Sequence, residues 1–142
     1  MPHQQTVITI IIYICVMKKI INTTDAPAPI GPYSQAVLAN GFLYVSGQIP
    51  INPATGELTM DSIKSETEQV MRNLNAVLLE AGFEFPHILK STIFLSDMSL
   101  FAEVNEVYGS YFESDFPARE TVAVKGLPKG VNVEISVIAY KG

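Results

Sequence analysis

Positive charge is scarce in this sequence. Only 9 of its 142 residues are lysine or arginine, and the formal net charge is −5. Proteins that bind nucleic acids usually present a basic surface, because phosphate neutralisation supplies much of their affinity. The longest basic run here is the pair Lys18 and Lys19, so we do not expect nucleic acid as a partner.

Cysteine and histidine are nearly absent as well. Cys15 is the single cysteine, which excludes a disulfide within the chain. His3 and His87 are the only histidines, so a zinc site or a Ser-His-Asp triad would have to form around one of them. His87 follows a proline in the stretch FEFPHILKS, where a connection between a helix and a strand is the simpler interpretation. We therefore predict no metal site.

Charged residues of both signs make up 16% of the sequence, whereas hydrophobic residues make up 48%. Ordinary soluble domains have about 25% charged residues. The length is that of one domain. A large, simple core would explain the low charge, and so would a surface that is buried between subunits. We favour the second explanation and expect an oligomer.

The beginning of the chain differs from the rest. The apolar run TVITIIIYICV covers residues 6–16 and is shorter than the roughly 20 residues that a membrane-spanning helix needs. No lysine or arginine precedes it, although a secretion signal would require one. It is either an extra strand or an extension upstream of a functional start at Met17. We favour residues 1–16 as an extension, residues 17–142 as a single domain, and a cytoplasmic protein.

Hydrophobic periodicity predicts the element order β-β-β-α-β-α-β-β. Asn40 and Gly41 separate two apolar runs, and this dipeptide is the strongest short signal for a β-hairpin. Asp61 or Ser62 can cap a helix that ends at Gly82. The predicted strands are residues 18–23, 36–39, 42–46, 88–96, 121–124 and 131–140, and the second helix is residues 100–112.

The last predicted strand has two different faces. Its odd-numbered residues from 131 to 139 are all apolar and should face the helices. Its even-numbered face combines Glu134 with Ile138 and Tyr140. Two helices can cover one face of a mixed sheet, which leaves the other face for water or a neighbouring subunit. The mixture of polar and apolar side chains favours a subunit interface or a pocket between subunits.

Five ordered segments resemble the RidA (YjgF) family of reactive intermediate deaminases, also labelled L-PSP endoribonucleases. They are GPYSQAV, YVSGQIP, NLNAVLLEAG, FPARETVAV and VNVEISVIAY. The resemblance extends from about Met17 to Tyr140. It implies a chorismate-mutase-like α+β fold, with two helices on one face of a mixed sheet, and a homotrimer with clefts between subunits. It also implies hydrolysis of short enamines and imines, above all 2-aminoacrylate and its tautomer 2-iminopropanoate, to 2-oxo acids and ammonia without a cofactor.

The resemblance further assigns roles to individual residues. Arg119 matches the family arginine that holds the substrate carboxylate, and Glu134 matches the acid associated with the hydrolytic water. Ser46 and Gly47 match a loop that lines the pocket. The other residues matched to the substrate-binding cleft are Tyr33, Asn105 and Thr121. Thr121 stands where many members have a cysteine, so the resemblance gives no support for thiol chemistry here.

The chemistry of these side chains agrees with the assigned roles but leaves alternatives open. A guanidinium offers two parallel N–H donors to a carboxylate, yet an ion pair between Arg119 and Glu120 explains the arginine equally well from sequence alone. Such a surface pair contributes about 0–1 kcal/mol. Glu134 could act as a general base or as an exposed or subunit-bridging carboxylate. Tyr33 could donate a hydrogen bond in the pocket or pack on a neighbour.

Three functions remain in competition. The first is the imine deaminase. The second is an endoribonuclease or translation inhibitor, which the older family label suggests and the acidic composition opposes. The third is a trimer that binds small ligands in the same clefts without catalysis.

Overall fold

The structure is a computed structural model that describes residues 18–142. The predicted extension at residues 1–16, with Cys15 in it, and the predicted start at Met17 lie outside the described residues. Among residues 18–142, no helix combines the length and the apolar character that crossing a membrane requires.

Six strands and two helices follow the predicted order β-β-β-α-β-α-β-β. The elements are β1 (Lys19–Ile21), β2 (Ala36–Ala39), β3 (Phe42–Gln48), α1 (Ile63–Glu80), β4 (Ile88–Leu95), α2 (Phe101–Gly109), β5 (Ala118–Ala123) and β6 (Val133–Tyr140). The strands form one sheet in the order β1-β2-β3-β6-β4-β5. Only the pairing of β4 with β5 is parallel, so the sheet is mixed.

Local signals in the sequence explain the hairpin and the first helix. Asn40 and Gly41 both have positive φ angles, of 51° and 80°, and they join β2 to β3 as the Asn-Gly signal predicts. The Ser62 side chain accepts a hydrogen bond from the Ser65 N–H and begins α1. Gly82, with φ of +80°, follows its last turn. These predictions are confirmed.

Both helices pack on the same face of the sheet, which makes the fold α+β as predicted. Buried residues of α1 and α2 form one apolar cluster with the alternate, inward-facing residues of the strands. In β6 those residues are Val133, Ile135, Val137 and Ala139, all buried. The opposite face of the sheet is open, and it carries Tyr44, Val122 and Tyr140, which are 50%, 46% and 42% exposed.

Several boundaries differ from the sequence predictions by a few residues, and three of these differences concern the candidate site. β5 begins at Ala118 rather than residue 121, so Arg119 lies within a strand. β3 continues through Gln48 rather than ending at residue 46. β6 begins at Val133, and Val131 belongs instead to a small separate cluster with Ile49 and Ile51. In each case pairing with a neighbouring strand, rather than local sequence, sets the boundary.

Candidate active site in two halves

The two residues predicted to be catalytic lie on opposite faces of the sheet. Arg119 of β5 is paired in register with Ser91 of β4, and it contacts the helix α2 on the covered face. Glu134 of β6 lies between the buried residues Val133 and Ile135, so its side chain points to the open face. Strand β4 also separates β5 from β6. One chain alone therefore holds the arginine and the glutamate apart.

The first half of the site surrounds Arg119. A cavity of about 360 Å³ is lined by Asn105, Tyr108, Gly109, Phe116, Pro117 and Arg119. The central carbon of the guanidinium lies 5.1 Å from the centroid of the Tyr108 ring and 5.5 Å from that of Phe101. Both distances are within the range of a cation–π interaction. The aromatic rings thus hold the positive charge at the edge of a cavity.

Arg119 is not engaged by the neighbouring glutamate. Glu120 instead pairs with Lys90, at 3.3 Å between Nζ and Oε1. Within residues 18–142, Arg119 makes no ion pair. The alternative that Arg119 serves a surface ion pair with Glu120 is therefore wrong.

The second half of the site surrounds Glu134 on the open face. A cavity of about 290 Å³ is lined by Ile30, Tyr33, Ser46, Gly47, Pro128 and Glu134. The structure thus brings together four of the residues matched by the resemblance. Burial raises the pKa of the Glu134 carboxyl above its usual range. A carboxylate of raised pKa is a better proton acceptor than an ordinary exposed one.

Gly47 determines how closely the Glu134 side chain approaches β3. The pairing of β3 with β6 shifts register between Val45 and Gln48, which is a β-bulge around Ser46 and Gly47. A Cβ at Gly47 would lie 2.8 Å from the Glu134 Cδ and Oε1. The prediction that Ser46 and Gly47 belong to a loop is wrong, because both lie within β3 and the bulge takes the place of a loop.

The loop that carries Tyr33 is attached to β3 by polar contacts. The Ser46 hydroxyl donates to the Ser34 carbonyl at 2.6 Å, so its proton is already engaged. Gln35 is buried, and its side chain accepts from the Thr23 N–H at 2.7 Å and donates to the Pro27 carbonyl at 2.9 Å. Sequence reasoning gave Gln35 no role, although a glutamine that ends a proline-rich loop is a suitable anchor for its backbone groups.

The start of β6 is fixed by a buried carboxylate. Glu66 of α1 accepts hydrogen bonds from the backbone N–H and the side-chain Nδ2 of Asn132, at 2.7 and 3.1 Å. Asn132 also accepts from the Ser96 hydroxyl at 2.7 Å. Asn132 lies two residues before Glu134 and is thus held from both sides. A buried glutamate within a helix has no distinctive sequence signal, and we had not predicted this contact.

Asn105 and Thr121 are the remaining residues that the resemblance assigned to the cleft. Asn105 lies on α2 and lines the Arg119 cavity. Thr121 follows Arg119 on the same face of β5 but lines neither of the two cavities. Its Oγ1 is buried and has no hydrogen-bond partner within the described part of the chain. Thr121 thus lies beside Arg119 on β5 but outside both cavities.

No metal-binding arrangement is found in residues 18–142, where no group of three or more His, Cys, Asp or Glu residues comes together. The Nδ1 atom of His87 accepts a hydrogen bond from the Glu84 N–H at 2.9 Å, and its ring packs edge-on against Phe83. His87 thus serves the connection between α1 and β4, as the sequence indicated.

The six-stranded α+β fold is shared with known proteins. The chain matches the Endoribonuclease L-PSP family over residues 23–141. It is 52% identical to a Yersinia pestis protein of the Rid family whose crystal structure covers 87% of this chain and 99% of its own, with a TM-score of 0.85. The chain therefore belongs to the Endoribonuclease L-PSP family, which includes the Rid proteins.

Two further relatives have informative names. The 2-iminobutanoate/2-iminopropanoate deaminase of Bos taurus is 46% identical over 126 residues, which cover 89% of this chain and 92% of the bovine protein. The crystal structure of E. coli TdcF with bound serine is 38% identical, with a TM-score of 0.84, and covers 87% of this chain and 99% of TdcF.

Proposed function

We propose that this protein hydrolyses small 2-imino acids to 2-oxo acids and ammonia, in clefts that form between the subunits of a homotrimer. The observation that carries the proposal is the state of Arg119. Its guanidinium is held against two aromatic rings at the edge of a cavity, and within residues 18–142 no carboxylate neutralises it. A guanidinium presented in this way suits a small, planar carboxylate ligand.

The assembly follows from the separation of the two halves. In one chain Arg119 and Glu134 lie on opposite faces of the sheet, so a complete site requires the Arg119 half of one subunit and the Glu134 half of another. The exposed side chains of Tyr44, Val122 and Tyr140 on the open face favour such an interface, because its burial removes apolar surface from water.

In the proposed reaction, Arg119 binds the substrate carboxylate through two parallel hydrogen bonds and orients the C=N carbon. The enamine 2-aminoacrylate reacts after a proton shift from its nitrogen to its methylene carbon has formed 2-iminopropanoate. Glu134 accepts a proton from a water molecule as the water oxygen bonds to the C=N carbon, and the C=N electron pair moves to the nitrogen, which takes a proton from solvent. The resulting carbinolamine then breaks its C–N bond. The proton held by Glu134 returns to the leaving nitrogen, the hydroxyl proton is lost, and a 2-oxo acid and ammonia remain.

The relatives support the same substrate class. The bovine relative is named for deamination of 2-iminobutanoate and 2-iminopropanoate. The serine bound to TdcF is a small molecule with a carboxylate next to a nitrogen-bearing carbon. These three compounds are small and carry a carboxylate, which suits the cavity beside Arg119 in this chain.

Cleavage of RNA, which the family label also suggests, receives less support from the structure. The single histidine of residues 18–142, His87, is occupied in a turn and is unsuitable as a general base. The net charge of −5 also disfavours a phosphate backbone. RNA incubated with the protein should therefore remain intact, and its binding should be negligible at physiological salt.

Subunit complementation tests both the chemistry and the shared cleft. Arg119→Ala and Glu134→Ala proteins should each be inactive on freshly generated 2-aminoacrylate. After unfolding and refolding together in equal amounts, about a quarter of the interfaces should combine an intact Arg119 with an intact Glu134 if subunits assort at random in a closed ring. Ammonia release should then return to about a quarter of the parental rate.

The control mixes Arg119→Ala with Arg119→Lys, which damage the same half and should give no recovery. If the two complementary variants also give none, although mass spectrometry shows mixed trimers, the shared cleft is wrong. If the parent protein releases no ammonia from 2-aminoacrylate, the deaminase proposal itself is wrong.

A further inference from the structure

We propose that Tyr108, held by Ser91, is the positioning residue that orients Arg119 for its ligand. The inference rests on the proposed function to the extent that Arg119 is taken as the carboxylate anchor. Neither Tyr108 nor Ser91 was predicted from the sequence to have a role in the site. Strand register, one buried hydrogen bond and one cation–π contact link the two residues to Arg119.

The register of β4 and β5 places Ser91 directly beside Arg119. The two residues are Cα partners in the parallel pairing, so both side chains lie on the helix-covered face. Ser91 is 0% exposed, and a serine hydroxyl in such a position needs a hydrogen-bond partner. The pairing of β4 with β5 and the burial of Ser91 fix the position of this hydroxyl.

Tyr108 supplies the partner. Its hydroxyl donates to the Ser91 Oγ at 2.9 Å, and both groups are buried. The tyrosine is 4% exposed, and burial raises the pKa of its hydroxyl, so the phenol remains neutral and keeps its proton for Ser91. The hydrogen bond therefore ties the outer edge of the ring to the strand next to β5.

The ring that is fixed in this way lies 5.1 Å, centroid to central carbon, from the Arg119 guanidinium. Phe101, two turns earlier on α2, adds a second ring at 5.5 Å. A cation–π contact holds the positive charge over the ring without using the N–H groups as donors to an acceptor, so these groups remain free for a ligand. Because no ion pair competes within residues 18–142, these rings determine where the N–H groups point.

A tyrosine at this position could instead serve only the core, where it also packs against Phe112. The two roles make different predictions for ligand binding. A core residue affects the free energy of unfolding and leaves the remaining folded protein with ordinary affinity. A positioning residue affects the affinity for a carboxylate ligand, and it does so only while Arg119 is present.

A double-mutant cycle separates the two roles. The probe is pyruvate, a 2-oxo acid, titrated by calorimetry into the parent, Tyr108→Leu, Arg119→Ala and the double variant. We expect Tyr108→Leu to weaken pyruvate binding roughly 3- to 30-fold, the effect of losing a partly desolvated cation–π contact. In the Arg119→Ala background the same change should cause no further loss.

Tyr111→Leu is the matched control. Tyr111 lies one turn further along the chain, and its hydroxyl donates to Glu68 rather than contacting the Arg119 region. Its replacement should lower thermal stability while leaving the affinity for pyruvate unchanged. Equal weakening of binding by Tyr108→Leu and Tyr111→Leu would show that a general loss of packing, and not positioning, explains the effect.

A second pair of variants keeps the core filled if Tyr108→Leu does not fold. Tyr108→Phe and Ser91→Ala each remove the same hydrogen bond and keep a ring beneath Arg119. Each should weaken pyruvate binding by the same factor, of about 2 to 5, since one buried hydrogen bond is lost, and their combination should be no weaker than Tyr108→Phe alone. Unchanged binding in both would overturn the inference.

The outcomes also distinguish the inference from the proposed function. If Arg119→Ala binds pyruvate as well as the parent does, the carboxylate anchor is wrong and nothing remains for Tyr108 to position. If Arg119→Ala loses pyruvate binding and Tyr108→Leu retains it, Arg119 remains the carboxylate-binding residue and only the proposed role of Tyr108 is wrong.

Discussion

The carboxylate of Glu134 lies directly against the backbone of Gly47 on the adjacent strand. An added Cβ at Gly47 would come within 2.8 Å of both Cδ and Oε1 of the glutamate, so the carboxylate would have to move to admit a side chain there. The β-bulge around Gly47 and the absence of a side chain there together allow the carboxylate to occupy its place. The glycine thus shapes the half-site without any chemistry of its own.

This contact predicts the effect of Gly47→Ala. The new methyl group must displace the Glu134 carboxylate, which ends a flexible side chain and can move with little loss of unfolding free energy. We expect kcat/KM for 2-aminoacrylate to fall at least about 10-fold, because the proton acceptor is misplaced. Gly126→Ala is the control, since a Cβ there meets nothing within 4 Å. Equal activity of the two variants would contradict the role of Gly47.

The raised pKa of Glu134 predicts a pH dependence of both stability and activity. Burial raises the pKa of the Glu134 carboxyl in the folded protein, so protonation of this carboxyl at low pH stabilises the fold. This contribution is complete below the unfolded pKa of about 4.3 and is lost as pH rises through the folded pKa. Glu134→Gln carries no charge at this position. Its free energy of unfolding should therefore be at least that of the parent at pH 7.5, and it should have no advantage over the parent at pH 4.

The same group should control the acidic limb of the activity profile. If Glu134 accepts the proton from water, kcat/KM falls as pH decreases through its raised pKa, and Glu134→Gln is slow at every pH. Glu57→Gln, in an exposed turn, should retain the parental profile. Thermal unfolding at the two pH values and rates between pH 4 and 8 measure both effects. If Glu134→Gln is slow but its kcat/KM still falls at the same pH as in the parent, the titrating group is not Glu134.

Arg119→Lys tests whether geometry or charge alone anchors the substrate. Lysine keeps the positive charge, but it loses the planar fork that presents two parallel N–H donors. We expect weaker pyruvate binding and a loss of kcat/KM on the order of 100-fold, because a misoriented substrate reacts slowly. Arg72→Lys, on the exposed side of α1, should have no effect. Parental turnover by Arg119→Lys would show that Arg119 is not the anchor.

The proposed trimer predicts that a charge on the open face disrupts assembly. Ile138 lies on that face, where it is paired across the strands with Tyr44 of β3. Ile138→Lys should dissociate the assembly and abolish activity, because a buried unpaired charge is strongly unfavourable. Lys141→Ala is the control at the exposed end of the chain. Analytical ultracentrifugation measures the outcome, and a parent protein that is monomeric at micromolar concentration would contradict the trimer.

The sequence predicted those parts of the fold that depend on local chemistry. The turn at Asn40 and Gly41 and the capping of α1 by Ser62 follow from backbone preferences of a few adjacent residues. The start of β5 was missed because it depends on pairing with β4, about 30 residues earlier in the chain. The resemblance placed Gly47 in a loop, whereas here the glycine lies in a β-bulge within β3.

The site was predictable as a set of residues but not as an arrangement. Resemblance selected Arg119 and Glu134, yet their separation follows from their positions on opposite faces of the sheet and from β4 lying between β5 and β6, and no local signal encodes that order. Tyr108 escaped attention because a tyrosine on the apolar side of a helix is ordinarily a core residue. Its relation to Arg119 appears only when the register of two strands and the packing of α2 are both known.

The space beside Gly109 predicts a change in substrate preference. Gly109 is the last residue of α2 and lines the Arg119 cavity, and a Cβ added there meets no atom within 4 Å. Gly109→Ala should therefore be tolerated and should stabilise the protein by about 0.5–1 kcal/mol, since glycine weakens a helix. Gly109→Leu should instead extend into the cavity and reduce the room for a substrate side chain. We expect kcat/KM for a 2-imino acid with a branched, leucine-like side chain to fall about 10-fold or more relative to 2-aminoacrylate, the effect of one or two displaced methylene groups.

Parallel assays of the parent, Gly109→Ala and Gly109→Leu with both substrates measure that ratio. A proportional loss for both substrates would mean that Gly109→Leu damages the site as a whole, and that the cavity next to Arg119 does not receive the substrate side chain.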